Sequence, residues 1–135
     1  MQNPGCVMIL NAALPPGKAT NAAAVIALTL GQRHPALVGD MLEDAEKHAS
    51  PGLITTGIPV LSATNDQLNA LREQCEQADY DLVLFPEEGQ TTTDYQALRA
   101  LLRQQPRHQW RLLGIAIVGD KKNLRKLTTK LVLFS

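Results

Sequence analysis

A lysine at the start of a predicted helix is the first group that could do chemistry. Gly17 and Lys18 follow a turn and open an Ala- and Leu-rich run that predicts a helix over 18–30. The first N–H groups of a helix lack intrahelical partners, so a lysine beside them makes a natural site for an anion. We therefore predict that Gly17, Lys18 and Thr20 bind a phosphate or another oxyanion. The alternative is an exposed lysine with no such role.

A second group of polar residues follows a predicted buried strand at 82–85. Ligands of α/β folds favour the carboxyl ends of strands, where this segment begins. Glu87 has the chemistry to position a water as a general base, and the Thr91 hydroxyl to donate a hydrogen bond. With Lys18 these are our predicted catalytic residues, and the further ligand contacts would be Gln90 and Thr92. Ordinary helix capping is the alternative, and it explains Thr93 and Asp94 better than Glu87 and Thr91.

Other reactive side chains lack the spacing that their chemistry needs. A nucleotide-binding P-loop would require Gly at position 12 and Ser or Thr at 19, and both are alanine. Cys6 and Cys75 form no CxxC or Cys/His pattern, so no disulfide, metal site or cofactor is predicted. The histidines have no acid or nucleophile at useful spacing and are predicted to be surface side chains; they are His34, His48 and His108.

These groups must be positioned by alternating strands and helices. Short apolar runs at 6–11, 82–85 and 112–118 predict three neighbouring buried strands, with the 18–30 helix on one face. Further strands are predicted at 58–62 and 131–134, and a short basic helix at 121–127. This alternation indicates an α/β fold: one domain over 1–135, with a small mixed sheet of about four strands and helices on both faces.

Capping residues set the predicted helix limits. Thr64 with Gln67 and Thr93 with Gln96 have the spacing of capping boxes. Gly31 is placed as the terminator of the first long helix. Residues 32–57, rich in Pro and Gly and with an acidic patch, predict an irregular surface segment with at most a short strand or helical turn.

Charge is unevenly distributed although its sum is zero. Residues 1–94 carry four basic and twelve acidic residues, a formal charge of −8, and residues 95–135 carry nine basic residues and one acid, a charge of +8. Arg99, Arg103 and Arg107 recur at helical spacing and, with Trp110, could contact RNA. The alternative is a solvated helix face, with the two halves of the chain folding onto each other.

Composition and the chain start indicate an intracellular protein. The 44% hydrophobic content suffices for a core, and only 4% is aromatic, so that core must be mostly aliphatic. No Lys or Arg precedes the first apolar run, which argues against a secretory signal. The longest nearly apolar stretch, 22–30, is about half of what spans a bilayer. We predict a cytoplasmic protein with no membrane partner.

Three segments resemble a known family: Leu14–Gly17 with Asn21–Ala24, Phe85–Thr92 and Leu113–Gly119. They are similar to the domain-of-unknown-function family numbered 2000, over nearly the whole chain. That family resembles type II peptidyl-tRNA hydrolases, which have a four-stranded mixed sheet with helices on both faces and split the ester between a peptide and tRNA.

The resemblance implies roles residue by residue. The glycine-lysine pair of the hydrolases matches Gly17 and Lys18. Their strand-end aspartate, followed four residues later by a catalytic threonine, matches Glu87 and Thr91, with the acid changed. Their helix glutamine and histidine fall on Ala22 and Val25, where both are absent.

The sequence is therefore compatible with three functions. The preferred one is a hydrolase-like site that acts on a small ester, amide or anionic ligand through Lys18, Glu87 and Thr91. The second is a non-catalytic module that binds a small ligand or a protein. The third is binding of a tRNA-like substrate or RNA through the basic part after residue 94. Homodimer formation is left open.

Overall fold

The structure, a computed structural model, describes residues 3–135 and holds a five-stranded mixed sheet and a separate two-stranded hairpin. The prediction of no secretory signal rests partly on Met1 and Gln2, which lie outside the described residues. The strands of the described part are β1 (Pro4–Asn11), β2 (Leu42–Glu43), β3 (Ala49–Ser50), β4 (Val60–Ala63), β5 (Asp81–Pro86), β6 (Leu112–Asp120) and β7 (Val132–Leu133).

The order of the main sheet is β5-β6-β1-β4-β7. β6 runs antiparallel to both β1 and β5, and β4 runs parallel to β1. The prediction that 6–11, 82–85 and 112–118 are neighbouring strands is confirmed. The first and third are buried as predicted, whereas residues 82–84 of β5, at the edge of the sheet, are only half-buried. The sheet has five strands rather than about four, because β7 adds two residues to the edge beside β4.

One edge of the sheet collects the strand ends that matter for a site. Because β1, β4 and β5 share one direction, they end at the same edge, where β6 begins. Gly114 of β6 pairs with Leu10 on one side and Phe85 on the other. A Cβ atom there would lie 3.0 Å from the Ile9 carbonyl oxygen, so only glycine fits without a shift. We call this the loop edge.

Five helices accompany the sheet in the described part: α1 (Pro16–Arg33), α2 (Asn65–Glu76), α3 (Glu88–Thr91), α4 (Tyr95–Leu102) and α5 (Lys121–Leu127). α1 packs on one face of the sheet, while α2 and α5 pack on the other. β1 serves both faces because its side chains alternate. Cys6, Met8 and Leu10 belong to the α1 core, and Val7 and Ile9 to the opposite one.

Two helix limits differ from their prediction. α1 continues through Gly31 to Arg33 and ends before Pro35, because Gly31 keeps helical geometry and proline disfavours helix in the residue before it. The N-cap of α4 is Asp94 rather than Thr93: its Oδ1 accepts from the Gln96 and Ala97 N–H groups at 3.0 and 3.2 Å. A carboxylate caps as well as a hydroxyl and also suits the helix dipole. The capping box of Thr64 with Gln67 is confirmed.

The predicted irregular segment runs over the surface. It contains a 3₁₀ turn at Pro35–Leu37 and the short hairpin of β2 and β3. Its closest internal approach is at Gly52, where a Cβ atom would lie 2.0 Å from the Gly39 carbonyl oxygen. No helix among residues 3–135 combines the length and the apolar character needed to cross a membrane.

Candidate functional site

A cavity of about 200 Å³ opens at the loop edge of the sheet. It is formed by the turn between β1 and α1, by the residues from the end of β5 through α3, and by the chain at the start of β6. Lys18, Glu87 and Thr91 all line it, so the predicted catalytic side chains lie around one cavity. The other lining residues are Asn11, Ala13, Leu14, Pro15, Gln90, Arg111 and Leu113.

Asn11 holds the floor of this cavity in place. The residue is buried, with 4% exposure, at the last position of β1. Its Nδ2 donates to the Leu112 carbonyl oxygen at 3.2 Å, and its Oδ1 accepts from the Ala13 N–H at 3.0 Å. One amide therefore ties the turn after β1 to the start of β6. A buried amide without these partners would be costly, so its geometry is well determined.

The first turn of α1 faces the cavity without a capping side chain. Pro15 is the N-cap and Pro16 follows it, so neither side chain bonds the free N–H groups of this end. No acidic residue lies in the first turn to neutralise the positive end of the helix dipole. Lys18 is exposed and adds a full positive charge to the same place. Because Pro16 has no N–H, the free backbone donors of this turn are the N–H groups of Gly17 and Lys18, and the turn is electropositive.

Arg111 is the second cation of the cavity. Its carbonyl oxygen accepts from the Glu87 N–H at 2.8 Å, which fixes the two backbones side by side. Its Nε lies 4.0 Å from Glu87 Oε1, and both side chains are more than half exposed. A pair this long and this exposed is weak, so both groups can turn towards a ligand. With Lys18, the cavity carries two cations and one carboxylate.

Gln90 and Thr91 have different surroundings, although both line the cavity. The Gln90 Nε2 donates to the Lys18 carbonyl oxygen at 3.0 Å and to Asn21 Oδ1 at 3.1 Å. Gln90 therefore fastens α3 to α1 and positions the site. Thr91 Oγ1 donates to the Glu88 carbonyl oxygen at 3.1 Å. Its proton is already used, which leaves its lone pairs as acceptors.

The remaining predicted ligand contacts do not line the cavity. Gly17 lies in the first turn of α1 outside the lining. The Thr20 hydroxyl donates to the Pro16 and Gly17 carbonyl oxygens, both at 3.0 Å, because a threonine inside a helix commonly bonds back to the preceding turn. Thr92 accepts from the Asp94 N–H at 3.2 Å and serves the turn before α4.

Two polar residues of the cavity lining, Asn11 and Arg111, were not predicted from the sequence. Asn11 is a polar residue that ends an apolar strand, a position that often marks a buried amide with a structural task. Arg111 directly precedes the most hydrophobic strand of the chain. Its place at the loop edge follows only once β6 is known to run antiparallel to β1.

The prediction that the histidines lack acid partners was wrong for two of them. His34 Nε2 lies 2.5 Å from Asp81 Oδ2, and the guanidinium of Arg33 donates to the same carboxylate at 2.7 and 2.8 Å. The pKa of Asp81 is lowered to about 2, chiefly by the hydrogen bonds from Arg33. Partial burial of the carboxylate acts in the opposite direction. His48 pairs with Asp44 at 3.1 Å. Only the tertiary fold brings His34 to Asp81, 47 residues along the chain.

Two further groups carry no indication of chemistry. Asp44, Glu46 and His48 place ligand atoms within 4.8 Å of one another, but Asp44 already accepts from the backbone of the other two in a tight turn. Cys6 and Cys75 are buried and free, and burial raises the pKa of the Cys75 thiol to about 11. A thiol with so high a pKa is almost fully protonated at neutral pH and is therefore a poor nucleophile.

Arg99, Arg103 and Arg107 do not share one helix face, although their spacing predicted it. α4 ends at Leu102, so Arg103 and Arg107 lie beyond it, and Arg107 pairs with Glu76 at 2.8 Å. The Trp110 ring packs against the α2 core, and its Nε1 donates to the Gln105 carbonyl oxygen at 3.1 Å. This tryptophan is therefore half-buried, and its N–H is engaged within the fold.

Comparison with known proteins agrees on the fold. The structure of the protein of unknown function Atu0240 from Agrobacterium tumefaciens strain C58 is similar with a TM-score of 0.89 at 19% identity, over 100% of both chains. No curated protein matches the sequence. The family model described as "Protein of unknown function (DUF2000)" matches residues 5–135. The chain therefore belongs to the DUF2000 family.

Proposed function

We propose that the loop-edge cavity binds a small anionic ligand. The observation that carries the proposal is that Lys18, Arg111 and the uncapped first turn of α1 meet at one cavity that holds a single carboxylate, Glu87. Two cations and free N–H groups suit a phosphate, a sulfate or a carboxylate. The volume of about 200 Å³ is below the roughly 300–1,000 Å³ of drug-sized sites, so the bound group is small.

Each lining group has a role in this proposal. Lys18 supplies a point charge, and Arg111 a planar donor pair that fits two oxygens of one anion. Gln90 holds the first turn of α1 in place, and Asn11 holds the turn before it. Leu14 and Leu113 add an apolar wall that fits a short hydrocarbon portion of the ligand.

Hydrolysis of an ester or amide of that ligand is the second candidate function. It is favoured by Glu87, a carboxylate on the same cavity as the cations. The Thr91 hydroxyl donates to the Glu88 carbonyl oxygen and not to a base, so water is the nucleophile. Glu87 would take a proton as the water oxygen attacks the carbonyl carbon, and Lys18 would stabilise the oxyanion. When the carbon–oxygen or carbon–nitrogen bond breaks, the leaving group takes that proton from Glu87.

Binding is tested by titrating inorganic phosphate and acetate into the ¹⁵N-labelled protein. We expect amide shifts at Lys18, Glu87 and Arg111. Lys18→Gln and Arg111→Gln should each weaken phosphate binding by about tenfold, since charge-assisted hydrogen bonds are the strong ones. Lys122→Gln, an exposed charge on α5, is the matched control and should change it by less than about twofold. Shifts confined to other surfaces would refute the proposal.

Hydrolysis is tested separately with p-nitrophenyl acetate, a carboxylic ester. Turnover that falls by about a hundredfold in Glu87→Gln, with phosphate binding retained, would support Glu87 as the base. Phosphate binding without turnover of any ester would leave a binding module. Ester turnover that Glu87→Gln leaves unchanged would reject this assignment.

A further inference from the structure

A second and larger cavity, of about 350 Å³, lies at the opposite end of the sheet. It is formed by the start of β1, by β4, by α5 and by the chain after α5. Its walls include Val7, Leu61, Leu124 and Leu131. The volume falls within the roughly 300–1,000 Å³ typical of small-molecule sites. β1 runs from Gly5 at this cavity to Asn11 at the loop edge, so about 20 Å separate the two cavities.

The charged side chains of this cavity are all basic. Lys121 and Arg125 line it, and no acidic residue does. The two lie four residues apart on α5, so their side chains share one face of the helix. Neither forms an ion pair within residues 3–135. The nearest acid in sequence, Asp120, is engaged in capping, because its Oδ2 accepts from the N–H groups at the start of α5.

The two hydroxyls of the lining have no proton to offer. Thr128 Oγ1 donates to the Leu124 carbonyl oxygen at 2.8 Å, and Thr56 Oγ1 donates to the Gly57 carbonyl oxygen at 3.2 Å. The free donors at this cavity are therefore the two cationic heads. Any polar group of a ligand must meet those heads, and the rest of the ligand must meet hydrocarbon.

Gly5 explains how a lysine contributes to an apolar wall. A Cβ atom at Gly5 would lie 2.6 Å from the Lys121 Cγ, so the aliphatic stem of Lys121 lies directly on the start of β1. Long cationic side chains of this kind cover apolar surface with the stem and keep the charged head in water. The cavity thus has a hydrocarbon interior and a positive rim.

We propose that this cavity binds a small amphipathic anion, a monocarboxylate with an unbranched alkyl chain. The chain lies between Val7, Leu61 and Leu124, and the carboxylate meets Lys121 and Arg125. An apolar ligand would leave the two cations unused, and a compact inorganic anion would leave the walls unfilled. The proposal is independent of the one made for the loop-edge cavity.

Octanoate, octanol and acetate test this proposal by amide shifts in the ¹⁵N-labelled protein. Octanoate should shift Val7, Leu61 and Leu124 at concentrations below those at which acetate shifts Lys18. Octanol keeps the chain and lacks the charge, and acetate keeps the charge and lacks the chain. We expect each to bind at this cavity at least about tenfold more weakly than octanoate. Equal affinity for octanoate and octanol, or octanoate shifts confined to the loop-edge cavity, would overturn the proposal.

Charge variants on one helix give the matched comparison. The double variant Lys121→Gln/Arg125→Gln should lose the preference for octanoate over octanol while its weak octanol binding persists. Lys122→Gln/Lys126→Gln removes the same charge from the same helix at residues that do not line the cavity. It should retain the preference to within about threefold, the effect of a screened surface charge. Equal losses in both double variants would show general attraction to a basic helix and reject the site.

Discussion

Gln90 and Lys18 lie 72 residues apart in the chain, and the side-chain amide of Gln90 donates to the carbonyl oxygen of Lys18 at 3.0 Å. The same nitrogen also reaches Asn21 Oδ1 at 3.1 Å, so α3 is fastened to the first turns of α1. Glu87 is the N-cap of α3 and Thr91 is its last residue, whereas Lys18 belongs to α1. This contact therefore sets how far the carboxylate and the cation of the loop-edge cavity lie from each other.

Replacing Gln90 should loosen that contact without removing charge. We expect Gln90→Ala to lower the free energy of unfolding by about 1 kcal/mol, the net worth of such hydrogen bonds. Phosphate binding should weaken by less than about tenfold, because Gln90 positions Lys18 and supplies no charge. Urea denaturation and the phosphate titration measure the two effects. Gln96→Ala, on exposed α4, is the control, and equal effects of both variants would contradict a positioning role.

Asn11 should be the most sensitive polar residue of the loop edge. Asn11→Ala removes the buried side-chain amide. The Leu112 carbonyl oxygen and the Ala13 N–H then lose their hydrogen-bond partner. We expect a loss of about 2–3 kcal/mol in the free energy of unfolding, since unsatisfied buried groups carry the full desolvation cost. Chemical denaturation measures it, with Asn123→Ala, an exposed side chain on α5, as the comparison. A loss as small as that of Asn123→Ala would show that water replaces the Asn11 side chain.

Glu76 should matter because it balances a buried charge. Arg72 on α2 has a side chain only 7% exposed and pairs with Glu76, which also meets Arg107 at 2.8 Å. Glu76→Ala would leave the Arg72 guanidinium buried without its partner, at a cost of about 3 kcal/mol. Arg107→Ala, at the exposed end of the same network, should cost less than about 1 kcal/mol. Thermal and urea unfolding would refute this ordering if the two variants were equally stable.

Asp81 makes stability depend on pH in the acid range. Its pKa falls from an ordinary 3.8 to about 2, chiefly through the hydrogen bonds from Arg33. A lowered pKa in the folded state stabilises the fold above the unfolded pKa, and this contribution is lost as pH falls through about 2. We expect Asp81→Asn to be less stable by about 1–2 kcal/mol at pH 7, after allowance for solvent screening. The difference from the parent protein should shrink below pH 4, and a difference that stays constant down to pH 2.5 would contradict the assignment.

Peptidyl-tRNA should be a poor substrate or none. The positions that match the glutamine and histidine of type II hydrolases are Ala22, fully buried on the sheet, and Val25, 41% exposed, and neither lines the cavity. An oxyanion donor is worth about 3–4 kcal/mol and Lys18 could supply it. Without groups that orient ester and water, misplacement costs on the order of a hundredfold in rate.

The assay compares the protein with a type II hydrolase on N-acetyl-aminoacyl-tRNA. A rate within about tenfold of that enzyme would show that the missing side chains are dispensable. Lys18→Ala should then abolish the activity.

Local patterns in the sequence determined most of the elements. Apolar runs identified β1, β5 and β6. β1 and β6 are buried along almost their whole length and need continuous hydrocarbon, and β5 at the edge of the sheet is half-buried. The Thr64 capping box fixed the start of α2, since the four residues involved are adjacent in the chain. Where two signals competed within a few residues, the interpretation failed. Asp94 displaced Thr93 as a cap, and Gly31 remained inside α1 because Pro35 ends that helix.

Part of the candidate site also followed from the sequence alone. Lys18, Glu87 and Thr91 were identifiable because each lies within about seven residues of the end of an apolar strand, and such strand ends gather at one edge of an α/β sheet. Their side-chain types already indicated an anion and a water as the chemistry to expect.

Only the tertiary structure decided which other side chains meet them. The antiparallel course of β6 brings Arg111 beside Glu87, and strand direction is not encoded in the composition of a strand. The contacts of Gln90 with Lys18 and of His34 with Asp81 join residues 72 and 47 positions apart. Such pairs depend on how helices pack on the sheet, because periodicity records which face of an element is buried and not which side chain it will meet there.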